Sequence, residues 1–384
     1  MLAWESLYTV QVGGLAVAVS NLAEELARAG HEVHYFTRRA PGQPGYMEIN
    51  GVHYETFPSD PGLGTYAFAH SLSMSIVDGL HQVERHVGEF DIVHGHDWLM
   101  IDALHALKNE GRPVVLTYHS TEYGRNGGAF GSWPEFAQIS AVERRGGAIA
   151  DRVTTVSRCM KEELNFLYGI SPGKIDVIPN GIDPLKFRLK LDPGATKQRY
   201  GLHPLAPVVM FIGRLEHQKG PDILVEAIPK VLANRWDARF IFSGRGSMRS
   251  YLERRAGELG IAHAARFLDF LPHRDFIELL NSSDIVCLPS RNEPFGIALL
   301  EAWAAERPVV AADVGGFGEN IEDSVDGIKV LPNPDSVARG INYLLDSPEL
   351  MRKISQGGAR KVRQFSWEKA VSKLIGTYSA VLHG

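Results

Sequence analysis

The chain has 384 residues, 44% of them apolar, and a formal net charge of −5; that length supports two hydrophobic cores, and no apolar run is long enough to span a bilayer. Residues 1–178 hold 13 Lys and Arg against 21 Asp and Glu, while the remainder holds 27 against 24. An acidic first half and the lack of any concentrated basic patch argue against nucleic acid and anionic lipid as partners, whereas the mildly basic second half suits a small anionic ligand.

In chain order, MLAW is the only stretch before the first glycines available as a strand, so that element is expected to be short. Gly13-Gly14 stands at a strand-to-helix junction. It could open a helix N-terminus to a phosphate, and it suits a tight turn equally well. Helical spacing follows at Leu15, Val19, Leu22 and Leu26. Further strands are expected at His31–Thr37, Asp91–His94, Pro113–His119, Asp151–Ser157 and Lys174–Ile178. His94-Gly95-His96-Asp97 follows one of them, but no third and fourth ligand at suitable spacing accompanies it, so a metal site is not expected there. His119 ends another strand at the edge where α/β sheets bind ligands.

A break falls near Pro179–Asp192, where Pro179, Pro184, Pro193 and an Asn-Gly pair gather. Strands are then expected at Val208–Gly213, Arg239–Ser243, Arg266–Phe270, Ile285–Pro289, Pro308–Ala312 and Gly327–Leu331. Eleven strands alternating with helices are too many for one doubly wound sheet and suit two parallel sheets. The last helix carries an apolar stripe of Trp367, Ala370, Val371, Leu374, Ile375 and Tyr378. The boundaries expected are 1–178, 179–366 and a returning helix at 367–384.

Two stretches of the second half carry chemistry. Arg214 and Lys219 lie beyond the end of a strand, where two cations can clamp a diphosphate; a solvated loop would use them otherwise. In Ser290–Glu301, Glu293 follows a strand and Glu301 lies on the next helix, with Phe295-Gly296-Ile297 between them. A helix N-terminus there can hold an anion, and ionised carboxylates accept hydroxyl hydrogen bonds. Glu301 sits among apolar neighbours, and burying it without a partner would be costly, which favours a ligand role over a helix-capping salt bridge. The motifs G-x-G-x-x-G and G-x-x-x-x-G-K-[ST] are absent, which lowers the case for an NAD-linked oxidoreductase or an ATPase. D-x-D is absent as well. The cysteines, Cys159 and Cys287, are too few and too far apart for a disulfide framework, and MLAWESLYTVQVGG does not read as a signal peptide; a cytoplasmic setting is expected.

The strings VGGLAVAVSNLAEELARAGHEVHYFT, DIVHGHDW, TYHSTEYGRNGG, VIPNGID, FIGRLEHQKGPDILVEA and PSRNEPFGIALLEAWAAERPVVAADVGG together resemble the retaining glycosyltransferases of family 4 and, more loosely, glycogen and starch synthases. The resemblance implies an α/β GT-B fold, two doubly wound Rossmann-like parallel-sheet domains facing across a cleft. It implies metal-independent transfer of a hexosyl group, with glucosyl favoured, from a UDP-, ADP- or GDP-hexose to a carbohydrate or other hydroxyl acceptor, with no cofactor. In the same way Arg214 and Lys219 are assigned to the diphosphate, Glu301 to the ribose, and Glu293 to the sugar. Gly13, Gly14, Phe295, Gly296 and Ile297 lend backbone to the donor, and His119 serves the reacting sugar. Asp97, Glu122 and Arg125 are placed on the acceptor side. Family members usually carry Gly-x-Gly-Pro where this chain has Gly244-Arg245-Gly246-Ser247, and Pro-Pro where it has Leu7-Tyr8. The rivals are a nucleotide-sugar epimerase or a sugar phosphorylase on the same fold, and a non-catalytic sugar-nucleotide-binding protein.

Overall fold

A computed structural model describes residues 1–60, 62 and 64–384. The chain forms two compact units. The first comprises residues 1–123, 129–181 and 367–384, and the second comprises 124–128 and 182–366. The division therefore falls after Gly181, three residues later than the expected boundary, and the short segment Gly124–Gly128 groups with the second unit, which the sequence reading did not anticipate. Among the described residues no helix is long and apolar enough to cross a membrane.

The first unit contains β1 (Val33–Arg38), β2 (Tyr46–Ile49), β3 (Val52–Phe57), β4 (Val93–His96), β5 (Val114–Tyr118), β6 (Arg152–Thr155) and β7 (Ile175–Val177). They form two ladders, β1-β3-β2 and β4-β5-β6-β7, parallel except for β2. The short first strand joins them. Leu2 bridges Phe36 of β1 and Gly95 of β4, with Leu2 N–H donating to the His94 carbonyl and His96 N–H to the Leu2 carbonyl. Counting this bridge as a strand, the sheet order reverses between Leu2 and β4. The β2–β3 hairpin was not expected from the sequence. It turns on Asn50-Gly51, both at positive φ (53° and 78°), the backbone that an Asn-Gly hairpin turn requires. The helix Trp367–His383 buries Trp367, Ala370, Val371 and Leu374 in this unit.

The second unit holds β8 (Val208–Ile212), β9 (Arg239–Ser243), β10 (Ala265–Leu268), β11 (Ile285–Leu288), β12 (Val309–Ala312) and β13 (Ile328–Val330). All pair in parallel, in the order β10-β9-β8-β11-β12-β13. The apolar runs VVMFI, IVCL and VVAA are buried almost throughout, as a sheet covered on both faces demands. Helices packed on it bury Ile223, Leu224, Ile228, Val337 and Ile341 against Phe211, Phe240 and Val310. Strand order reverses between β8 and β11, so the loops after these two strands meet at the carboxyl edge, the place where open α/β sheets take ligands.

Candidate active site

In the second unit the loop after β8 runs from Gly213 to Gly220. Gly244 and Gly246 lie against it so closely that a Cβ on either would stand 2.0 Å from the Gly213 carbonyl oxygen or 2.3 Å from that of Leu215. The Gly-Arg-Gly-Ser string is thus a backbone support for this loop. Leu215 N–H donates to the Arg245 carbonyl at 2.8 Å, and the Glu216 carboxylate accepts from Ser247 N–H and hydroxyl at 2.7 and 2.6 Å. Gly220, at φ 66°, passes so near β11's exit that a Cβ would meet the Pro289 carbonyl oxygen at 2.2 Å. That approach carries Lys219 to Glu293, where Nζ donates to Oε2 at 2.8 Å. Arg214 donates to Gln218 Oε1 at 3.3 Å, and Arg291 pairs with Asp222 at 2.6 Å.

Glu293 is itself held from below. Its carbonyl accepts from Gly316 N–H at 2.6 Å, and a Cβ on Gly315 would lie 2.2 Å from it. Gly296, at φ 99°, caps the helix Ile297–Ala304 and leaves the amides of the first turn at its N-terminus. Glu301 lies on the second turn, half-buried. No hydrogen bond or ion pair reaches its side chain among the described residues, and burial pushes its carboxyl up to about 8. Arg214, Lys219, Glu293 and the helix N-terminus therefore converge on the β8–β11 edge, with Lys219 and Glu293 already in contact. One cation is partly committed to a carboxylate that the sequence reading had kept separate from it.

In the first unit the Gly13-Gly14 turn is tied down by a buried carboxylate. The amides of Val12 and Gly13 donate to the carboxylate of Glu5, at 2.5 and 3.0 Å. Gly14 begins the helix Gly14–Arg28. Glu5 is 2% exposed and was missed by sequence reasoning, since only the fold brings it beneath the turn. Burial raises its pKa, and the two amides act in the opposite sense.

Beyond β4 and β5, Asp97 stands at φ 59°, and its Oδ1 accepts from the His119 amide at 2.7 Å. A column of histidines leads to His119. Tyr378 hydroxyl meets His94 Nδ1 at 2.7 Å, the His94 and His96 rings lie 4.1 Å apart, and His96 Nδ1 meets His119 Nε2 at 3.0 Å. Thr117 holds His94 Nε2 at 2.6 Å. Burial brings His119 down to about 3 and holds His94 and His96 well below their usual range. Burial disfavours the charged form of all three rings. The acceptor-side candidates are divided between the units. Glu122 N–H donates to both oxygens of buried Glu143, at 2.9 and 3.0 Å, in the first. Arg125 lies within the segment that groups with the second.

Residues 195–361 match the family described as glycosyl transferases group 1, and residues 12–185 match glycosyltransferase family 4. An uncharacterized glycosyltransferase from Methanocaldococcus jannaschii is 36% identical, over 100% of this chain and 98% of the relative. A glycogen synthase from Mycobacterium tuberculosis is 30% identical over 100% and 95%. The Anabaena protein HepE, solved in complex with UDP-glucose, shares the fold with a TM-score of 0.79 and 21% identity, over 99% of this chain and all of the other.

The unpartnered Glu301 makes a pH-dependent prediction. Its folded pKa lies above the 4.5 of a free carboxyl, so the folded protein binds the proton more tightly than the unfolded chain. The resulting destabilisation is absent below about pH 4.5, grows as pH rises toward about 8, and is constant above that. Glu301→Gln, which cannot ionise, should melt at a higher temperature than the parent at pH 9, by about 2–4 °C per kcal/mol relieved. The gap should close toward pH 5. Thermal melts of both proteins across this range check it; a variant that melts lower at every pH points to a structural cap.

Proposed function

The chain belongs to the group 1, family 4 glycosyltransferases, and on that footing we propose that it transfers a hexosyl group from a nucleoside diphosphate sugar to an acceptor hydroxyl, with retention and without a metal ion. The observation that carries this reading is the grouping at the β8–β11 edge: two cations, a helix N-terminus, and a half-buried carboxyl with no partner among the described residues. Cations and amide dipoles suit a diphosphate, and an unpaired carboxylate suits a diol such as ribose.

Arg214, Lys219 and the amides around Phe295–Ile297 hold the diphosphate and stabilise the charge it gains as the glycosidic bond breaks. Glu301 accepts from the ribose hydroxyls. Glu293 accepts from the hexose, and the Lys219–Glu293 pair couples sugar and diphosphate binding. His119 hydrogen-bonds the transferred sugar. No side chain is assigned as a covalent nucleophile; the acceptor attacks from the face the diphosphate leaves, and the departing phosphate takes its proton. A glucosyl donor is supported by the relative named a glycogen synthase and by the neighbour solved with UDP-glucose. The two cysteines, neither in a disulfide, suit a reducing, cytoplasmic compartment. Transfer to an external hydroxyl separates this reading from an epimerase, which needs no acceptor.

The two carboxylates should fail differently. Glu301→Gln should mainly raise the Michaelis constant of the donor and weaken the product nucleotide in parallel, because ribose is bound alike in ground and transition states. Glu293→Gln removes the partner of Lys219 as well as the sugar contact, and should lower turnover more than nucleotide affinity, by about 2–4 kcal/mol of transition-state stabilisation. Steady-state kinetics and nucleotide titrations on the two variants check the split; normal kinetics in both contradicts the assignment.

Transfer should persist in excess EDTA, since the cations named here take the place of a divalent ion at the diphosphate. Loss of activity that manganese or magnesium restores contradicts metal independence.

A further inference from the structure

A second cluster of ligating side chains lies on the sheet of the first unit, apart from the loops described above. β1 and β3 run parallel with His34 opposite His53, and β2 runs antiparallel to β3 with Glu48 opposite His53 and Tyr46 opposite Glu55. Cross-strand partners share a face, so the two imidazoles stack with centroids 4.6 Å apart. Glu32, just before β1, reaches the same place, its Oε1 3.2 Å from His34 Nε2. Ligand atoms of Glu32, His34 and His53 all lie within 4.8 Å of one another.

The second observation concerns the buried ring. His34 is 6% exposed, and its Nδ1 has no hydrogen-bond partner. Two stacked imidazoles offer no apolar gain that a pair of Phe or Val would not exceed, and an ion at Nε2 would keep the proton on Nδ1, facing Glu55. The outward nitrogens have oxygens beside them. His34 Nδ1 is 3.8 Å from Glu55 Oε1, and His53 Nδ1 is 2.8 Å from the Tyr46 hydroxyl. An oxygen behind each ring fixes which nitrogen carries the proton and leaves the other for an ion, toward which the stacked rings need only turn about χ2.

We propose that Glu32, His34 and His53 form a binding site for one divalent transition-metal ion, zinc by its two-imidazole, one-carboxylate chemistry. His34 and His53 are the second residues of their parallel strands, at the amino ends, whereas Glu5, Asp97 and His119 follow the carboxyl ends of theirs. The ion is therefore a brace that pins β1 to β3 and steadies the edge hairpin, and it takes no part in transfer. The sequence reading looked for metal ligands around His94–Asp97 and passed over this set, whose members only the β1–β3 register brings together.

The test is a titration of the metal-stripped full chain with zinc sulfate, followed by calorimetry and thermal melts. One equivalent should bind and raise the melting temperature, with transfer activity unchanged. Glu32→Gln and His53→Ala, on exposed or half-buried side chains, should each weaken zinc at least about tenfold while leaving the metal-free melting temperature near that of the parent. No stoichiometric binding by the parent, or parental affinity in both variants, overturns the site. Stoichiometric binding at these residues without a rise in melting temperature overturns the bracing role.

Discussion

The contact between Lys219 and Glu293 depends on the strand order of the second unit, and the rest of the site is arranged around it. The two residues are 74 positions apart and sit in loops after β8 and β11, which are neighbours only because the order reverses between them. An ion pair this poorly hydrated gives little net stability and is costly to break by removing one partner. What the fold supplies instead is closeness: Gly220, Gly244, Gly246 and Gly315 each allow a backbone approach that a Cβ would block. The loops are fixed by glycine contacts, and the charges are placed by the loops. Against this fixed pair, Glu301 stands with no partner among the described residues. One carboxylate satisfied and one unsatisfied, flanking a helix N-terminus, is an arrangement that a ligand completes.

The first unit uses burial in a different way. Burial disfavours the charged form of its histidine column, whose geometry is set by Tyr378 at one end and by the Asp97 grip on the His119 backbone at the other. The last helix thereby reaches beyond its packing face, since Tyr378 contacts His94, whose ring lies 4.1 Å from that of His96. Glu5 shows the same economy: a buried carboxylate ties down the glycine turn.

Much of this was legible in the sequence. The eleven expected strands correspond to strands of the fold, because continuous β-branched runs between helices have few other uses. The hairpin at Asn50-Gly51 was passed over although its turn chemistry was visible, because alternating polar residues such as His53 and Glu55 masked a half-exposed strand. The helix start between Glu293 and Glu301 was readable, and the supporting role of Gly244 and Gly246 was not, because close backbone approach leaves no mark beyond the glycines themselves. Glu5, the Lys219–Glu293 contact and the His34–His53 stack depend on strand register, which no short window of sequence contains.

The central claim is that Glu301, whose carboxyl burial pushes up to about 8 in the free protein, accepts from the ribose hydroxyls as a carboxylate when the donor binds. Calorimetric titration of a nucleoside diphosphate at pH 7, repeated in buffers of different ionisation enthalpy, measures this directly. The account predicts release approaching about one proton per nucleotide bound, lost in Glu301→Gln. Tight binding with the same proton exchange in parent and variant would contradict it.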